Sequence, residues 1–262
     1  MKCFIIKIGG NVLDAPDALE EFLKDFAAID APKILVHGGG KIATKIGEAL
    51  GIESKYVDGR RITDARTLEL VTMVYGGLVN KQLVAKLQAA GCNAIGLTGA
   101  DGNVLPAHKR PVKTIDYGFV GDTTADAVNT AWLYELLAGG TTPVFAPLTH
   151  DNAGTLLNTN ADTIASVLAM ALSTRFEVRL IFCFEKKGVL LDVNDPDSVI
   201  RHLSWSEYNK YLLEGAFADG ILPKLENAYS AIQAGVQEVL IGDAADLIKN
   251  TSEKTEGTLI TN

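Results

Sequence analysis

Short apolar runs, each closed by glycine and followed by residues of helical spacing, recur along the chain. Residues 3–8 form such a run, ended by Gly9 and Gly10. Residues 18–29 follow with Leu19, Phe22, Leu23 and Phe26 at helical spacing. Residues 34–36 predict a second strand, ended by His37 and the triplet Gly38, Gly39, Gly40. A helix then runs to Leu50, with Gly51 where a C-terminal glycine belongs. A longer helical region spans 68–90 and is closed by Gly91, before a strand at 93–97. The stretch 104–122 breaks the pattern, because β formers and turn residues dominate it; a hairpin or small antiparallel insertion is expected there. Alternation resumes with helices at 127–137, 161–172, 206–215 and 225–234 and strands at 143–146, 179–184 and 238–241.

Strands alternating with helices predict an α/β fold: an open, mainly parallel three-layer αβα sandwich carrying a small β-hairpin insertion. The softest boundary, 173–177, would join an N-terminal lobe (1–174) to a C-terminal lobe (175–262) within a single domain, 1–262.

Composition narrows the partners. With 47% hydrophobic and 21% charged residues, the 262-residue chain reads as globular rather than disordered. The 24 Lys and Arg against 32 Asp and Glu leave a net charge of −8, without the basic surplus of a nucleic-acid binder. The uncharged stretch 136–149 is shorter than the roughly 18 to 20 apolar residues of a membrane span, and it contains Gly, Pro and Thr. The N-terminus lacks the cationic region and cleavage site of a signal peptide, so a cytoplasmic protein is expected. Cys3, Cys92 and Cys183 are isolated among apolar residues and are expected to be reduced, buried thiols.

In such sheets ligands sit beyond the carboxyl ends of the strands, so the residues just after strands carry the chemistry. Lys7 with Gly9 and Gly10 puts a cation where backbone can approach a phosphate, unless the lysine merely snorkels from an edge strand. His37 to Gly40 leaves amides free for an anion at a helix N-terminus. Gly38, Gly40 and Ala43, with Asp58, also match the loose dinucleotide fingerprint of a nicotinamide-dependent oxidoreductase. The phosphate loop G-x-x-x-x-G-K-[ST] is absent, since Ile42 follows Lys41.

Asp58-Gly59-Arg60-Arg61 offers paired guanidinium forks suited to a carboxylate or phosphate, or else a solvated surface charge. Asn160 is a natural N-cap for the 161–172 helix, and Asp162 suits its first turn. Capping leaves Asn158 unexplained. In Asp219-Gly220-Ile221-Leu222-Pro223-Lys224, a lysine opens a helical stretch against the dipole, which points to a nearby anion.

Six segments in order carry a resemblance. They are Lys7-Ile8-Gly9-Gly10, His37 to Gly40, Gly59-Arg60-Arg61-Ile62-Thr63, Asp116-Tyr117-Gly118-Phe119-Val120-Gly121, Asn158 to Asp162, and Gly220 to Lys224. Together they resemble the amino acid kinase family from end to end, and the Arg-Ile-Thr and Asn-Thr-Asn-Ala-Asp segments favour its acylglutamate branch. The resemblance implies the family's sandwich fold, with the acylglutamate in the N-terminal lobe and the nucleotide in the C-terminal lobe. It also implies ATP-dependent phosphorylation of the side-chain carboxylate of N-acetyl-L-glutamate, the second step of arginine biosynthesis, with Mg2+ held mostly by nucleotide and water.

Carried over residue by residue, Lys7 and Lys224 would stabilise charge on the transferring phosphoryl group, and Asp162 would hold both ammonium groups. Gly39, Gly40, Arg61 and Asn158 would bind the substrate. Gly9, Gly10, Glu185, Gly188, Leu190 and Phe217 would meet the phosphates or nucleotide, and no residue is assigned to a metal. Two positions depart from the family pattern: Glu185 replaces an aspartate, and Arg60 replaces an apolar residue. Arg60 keeps an N-succinyl-L-glutamate kinase as the alternative, and a non-catalytic amino-acid sensor and the oxidoreductase are more distant ones. Only six residues precede Lys7, too few for the N-terminal helix of arginine-inhibited hexameric members, so a homodimer insensitive to arginine is expected.

Overall fold

The N-terminal apolar run becomes the strand Lys2–Ile8 near the middle of an eight-stranded sheet in this computed structural model. The structure describes residues 1–261 except 58, 193, 215, 216 and 218–220. Asp58, Asp219 and Gly220, named above, lie outside the described residues. Across the sheet the strands run His202–Leu203, Thr258–Ile260, Glu238–Asp243, Glu177–Phe184, Lys2–Ile8, Lys33–His37, Thr142–Phe145 and Ala94–Leu97. All neighbours are parallel except Glu238–Asp243 with Thr258–Ile260. Lys2–Ile8 pairs directly with Glu177–Phe184, so one sheet runs through the 174/175 position.

The central strands are almost wholly apolar because helices cover both faces. Ile5, Ile34, Val36, Phe145 and Phe182 pack on one side against Ile164, Leu168 and Leu172 of the helix Ala161–Leu172. Phe4, Ile6, Ile8 and Leu35 pack on the other against Phe22 and Phe26 of the helix Pro16–Ala28 and against Leu70 and Leu83. Period-two alternation along each strand thus feeds two cores. Cys3, Cys92 and Cys183 are free and buried, and burial pushes the Cys3 and Cys183 thiols up to about 12, where they stay protonated.

The structure departs from the pattern-based reading in several places. The expected 68–90 helix starts at Ala65, because Asp64 caps it by accepting from the Thr67 amide at 2.8 Å. It widens to π winding over Thr72–Val79, which carries Gly76 and Gly77, before Asn80–Ala89 resumes α geometry. The 104–122 insertion forms one two-residue ladder, His108–Lys109 with Gly121–Asp122, and isolated bridges from Pro106 to His150, Gly118 to Thr63 and Val120 to Asn158. Two further hairpins, Lys55–Val57 with Arg60–Ile62 and Leu148–His150 with Leu156–Asn158, have strands too short for alternation to mark. The last long helix spans Leu222–Gln233, which puts Lys224 inside its first turn.

Candidate active site

Lys7 lies on a central strand between Phe182 and Val36 in register, which rules out an edge lysine. Its Nζ is 2.7 Å from Oδ1 of Asp162, and Lys224 Nζ is 3.5 Å from Oδ2 of the same carboxylate. Asp162 reaches them from the first turn of its helix, which Asn160 caps by accepting from the Thr163 amide at 3.1 Å. Burial alone would push the Asp162 carboxyl up, but the Lys7 and Lys224 ammonium groups outweigh it and hold the pKa below the usual carboxylate value. Lys224 also lies over the Phe184 ring, 5.4 Å from its centroid. One carboxylate therefore holds two cations, and the trio can bring a net positive charge to a phosphoryl group.

Two glycine loops border this trio at the carboxyl ends of neighbouring strands. Gly9 passes close to Lys7, where an added Cβ would lie 3.5 Å from Nζ, and Gly10 starts the short helix Gly10–Leu13. Gly38 donates its amide to the Ile8 carbonyl at 3.0 Å, tying the second loop to the first. Gly39 has φ of 151°, and a Cβ there would stand 2.9 Å from Cδ1 of Tyr75, so only glycine fits.

Gly39, Gly40, Arg61 and Asn158 line one cavity of about 220 Å³, which Asn160 and Ala161 close on the side of Asp162. Arg61 is buried. It donates to Ser54 Oγ, to the Gly40 carbonyl at 2.8 Å and to Thr44 Oγ1 at 2.9 Å, and it stacks 4.8 Å from the Tyr56 centroid. Asn158 donates to Thr63 Oγ1 at 2.9 Å. Arg60, the strand neighbour of Arg61, is exposed at the cavity's rim. Sequence reasoning missed Tyr56, Tyr75 and Arg110, which also line the cavity. Arg110 is held by Asp122 at 2.5–3.1 Å from the two-residue hairpin; no glycine or strand end flags it in the sequence.

The nucleotide candidates are more dispersed. Glu185 accepts from Asn11 Nδ2, while Asn11 Oδ1 accepts from Lys41 Nζ at 2.6 Å. Glu185 and Asn11 line a separate cavity of about 210 Å³ together with Phe184 and Asp243. Gly188 is buried, and a Cβ there would meet Thr258 Oγ1 at 2.7 Å. Leu190 bridges to Val199, and Phe217 packs against Tyr208 and Tyr211 with ring centroids 5.8 and 5.9 Å away. Gly188, Leu190 and Phe217 line neither cavity. Among the described residues, no group of three His, Cys, Asp or Glu side chains could hold a metal ion.

Paired lysines on one carboxylate, two glycine loops at strand ends and an arginine-lined cavity gather at the carboxyl ends of a parallel sheet, an arrangement suited to phosphoryl transfer. The model of the amino acid kinase family matches residues 2–243, and the chain belongs to that family. Among its relatives, an acetylglutamate kinase from Cytophaga hutchinsonii is 57% identical over 259 residues, covering 98% of this chain and 97% of that protein. One from Bacteroides fragilis is 58% identical over 240 residues, covering 92% and 91%. Of solved structures, smu.665 from Streptococcus mutans superposes with a TM-score of 0.74 at 30% identity, over 99% of this chain and 98% of that one. Carbamate kinase from Giardia lamblia shares the fold with a TM-score of 0.72 at 15% identity, over 100% and 98%.

Proposed function

We propose that the chain transfers the γ-phosphoryl group of ATP to the side-chain carboxylate of N-acetyl-L-glutamate, giving an acyl phosphate and ADP. A carboxyl group with an ordinary pKa of about 4.3 is ionised at neutral pH, so the attacking oxygen needs no general base. That oxygen bonds to the γ-phosphorus, the bond to the β–γ bridging oxygen breaks, and its electron pair leaves with ADP. The barrier is an anion approaching a polyanion, and catalysis is positioning plus neutralisation.

In this reading Lys7 and Lys224 neutralise charge on the moving phosphoryl group, and Asp162 holds both. The amides of Gly10 and Gly39 donate to phosphate oxygens. Gly39 and Gly40 border the acylglutamate, Arg61 grips its α-carboxylate and Asn158 hydrogen-bonds it. Gly9, Glu185, Gly188, Leu190 and Phe217 serve the nucleotide. Mg2+ enters as part of the MgATP substrate; Asp162 already answers two lysines, which leaves phosphate oxygens and water to hold the ion. The acylglutamate belongs to the 1–174 lobe and the nucleotide to the 175–262 lobe of one domain.

The observation that carries the reading is the pair of lysines on Asp162 beside a cavity that also holds Arg61. The kinship with acetylglutamate kinases over nearly the whole chain supports the substrate and a role in arginine biosynthesis. The succinyl, oxidoreductase and sensor readings are not favoured. A cytoplasmic location is proposed; no helix among the described residues is long and apolar enough to cross a membrane. A homodimer is proposed with it, and exposed Met73 and Leu78 offer apolar surface for a second copy; light scattering at twice 27.9 kDa is the expected result.

The activity test is trapping with hydroxylamine, which converts an acyl phosphate to a hydroxamate. Hydroxamate equal to ADP, and dependent on both N-acetyl-L-glutamate and MgATP, is expected. ADP release indifferent to the acceptor would overturn the reading.

A further inference from the structure

His37 ends the strand Lys33–His37, and its side chain turns into the core, fully buried. Nδ1 lies 2.7 Å from the Gly38 carbonyl oxygen, and Nε2 lies 3.1 Å from Nδ2 of Asn80. The same Asn80 Nδ2 donates to the Val144 carbonyl at 2.9 Å. That bond fixes the amide orientation, because only the NH2 end can face a carbonyl. Asn80 therefore donates to Nε2, and the imidazole proton is assigned to Nδ1, where it donates to Gly38. Burial pushes the ring's pKa down to about 4, so it is neutral at physiological pH. The ring's hydrogen-bond partners are an amide side chain and a backbone carbonyl, neither of which titrates.

A trans peptide is planar, with its C=O and N–H on opposite edges. Holding the Gly38 carbonyl toward His37 turns the Gly39 N–H the other way, away from the ring, in a loop whose Gly38, Gly39 and Gly40 all border the cavity. The Gly38 amide, bonded to the Ile8 carbonyl at 3.0 Å, anchors the preceding plane as well. Among the described residues, no protein acceptor takes the Gly39 N–H. A loop of three glycines has little intrinsic preference for one orientation, so these side-chain and strand contacts set it.

We infer that His37 is a positioning residue for phosphoryl transfer: through the Gly38–Gly39 peptide it aims the Gly39 amide at the transferring group. The inference rests on the proposed function. His37 touches no substrate, and Asn80 sets its tautomer. A residue acting this way changes transition-state stabilisation and leaves substrate binding almost untouched.

The test compares His37→Asn with His37→Gln in the full-length enzyme. Asparagine carries its NH2 near the position of Nδ1 and keeps a donor for Gly38, whereas glutamine carries its amide near the position of Nε2. His37→Gln is expected to lose about 10²-fold in kcat, the scale of one lost electrostatic donor, with both KM values within about threefold. His37→Asn is expected to keep kcat within about fivefold of the parent. Equal kcat losses in the two variants, or losses that lie in KM, would overturn the inference. Nitrogen-15 NMR of the histidine rings in the unsubstituted enzyme needs no variant to fold. A neutral Nδ1–H ring from pH 6 to 8 is expected for His37, and an Nε2–H tautomer or an imidazolium would overturn the assignment. An unsubstituted enzyme that makes no acyl phosphate would count against the function itself, leaving the tautomer result separate.

Discussion

Lys7 and Asp162 meet at 2.7 Å although one sits on a central strand and the other on the first turn of a helix. Neither could be held there alone. Leaving a buried charge without its partner is costly, and here Asp162 partners both Lys7 and Lys224.

Asp162→Asn is expected to leave two cations facing each other without their anion. The loss should be about 3 kcal/mol of stability at pH 7, the scale for removing one partner of a buried pair, with a fall in kcat. Because the folded carboxyl has a depressed pKa, its stabilisation is present above the unfolded value of about 3.9 and is lost as pH falls through the folded value. Denaturant titrations should show a constant deficit from pH 7 to 5 that narrows below about pH 4. A deficit that grows on acidification would contradict the assignment.

Arg61 and its neighbour separate two roles. Arg61→Ala removes bonds to Ser54, Gly40 and Thr44 as well as the proposed donor to substrate, and should raise KM for the acylglutamate by about 10²-fold or more. Arg60→Ala, at an exposed position, should change stability by less than about 0.5 kcal/mol and KM for N-acetyl-L-glutamate by under about threefold. Initial rates with varied acceptor decide between them, and equal effects would sink the distinction.

Gly39→Ala tests the loop. The residue's φ of 151° and the 2.9 Å approach to Tyr75 leave no room for a Cβ. A loss of 10²-fold or so in kcat/KM is expected, and trimming the ring in Gly39→Ala/Tyr75→Leu should return only the part due to the clash. Full activity in the single variant would mean that the loop adapts freely.

Arg179 offers a prediction remote from the site. Fully buried, it donates to Glu238 at 2.6 Å and to the carbonyls of Asn250 and Ser252 at 2.9 and 2.6 Å, clasping the C-terminal segment to the sheet. Arg179→Ala should cost about 3 to 5 kcal/mol, since Glu238 and two carbonyls lose their donor. Thermal denaturation checks it; a melting temperature unchanged within about 2 °C would contradict it.

Six of the eight sheet strands and the longer helices are legible because alternation and glycine punctuation are local signals, whereas the outer strands His202–Leu203 and Thr258–Ile260 are too short to show either. The 161–172 helix has the ends its sequence predicts, since Asn160 caps it and Ser173 follows its last apolar residue. Arg110 was hidden because tertiary folding of an irregular segment, not a local pattern, brings it to the cavity. The short strands Leu148–His150 and Leu156–Asn158 were hidden for a related reason: three residues carry too little alternation to be seen. The glycines after His37 mark its loop, whereas no local pattern points to its partner Asn80, on a helix start far along the chain.

The most direct test of the account is the kinetics of Lys7→Ala and Lys224→Ala beside the unsubstituted enzyme. Each should lose about 10²- to 10³-fold in kcat, with KM for ATP changed far less, because each lysine acts on charge that develops in the transition state. Turnover within about threefold of the parent for either variant would contradict the claim that these two lysines, held by Asp162, drive phosphoryl transfer.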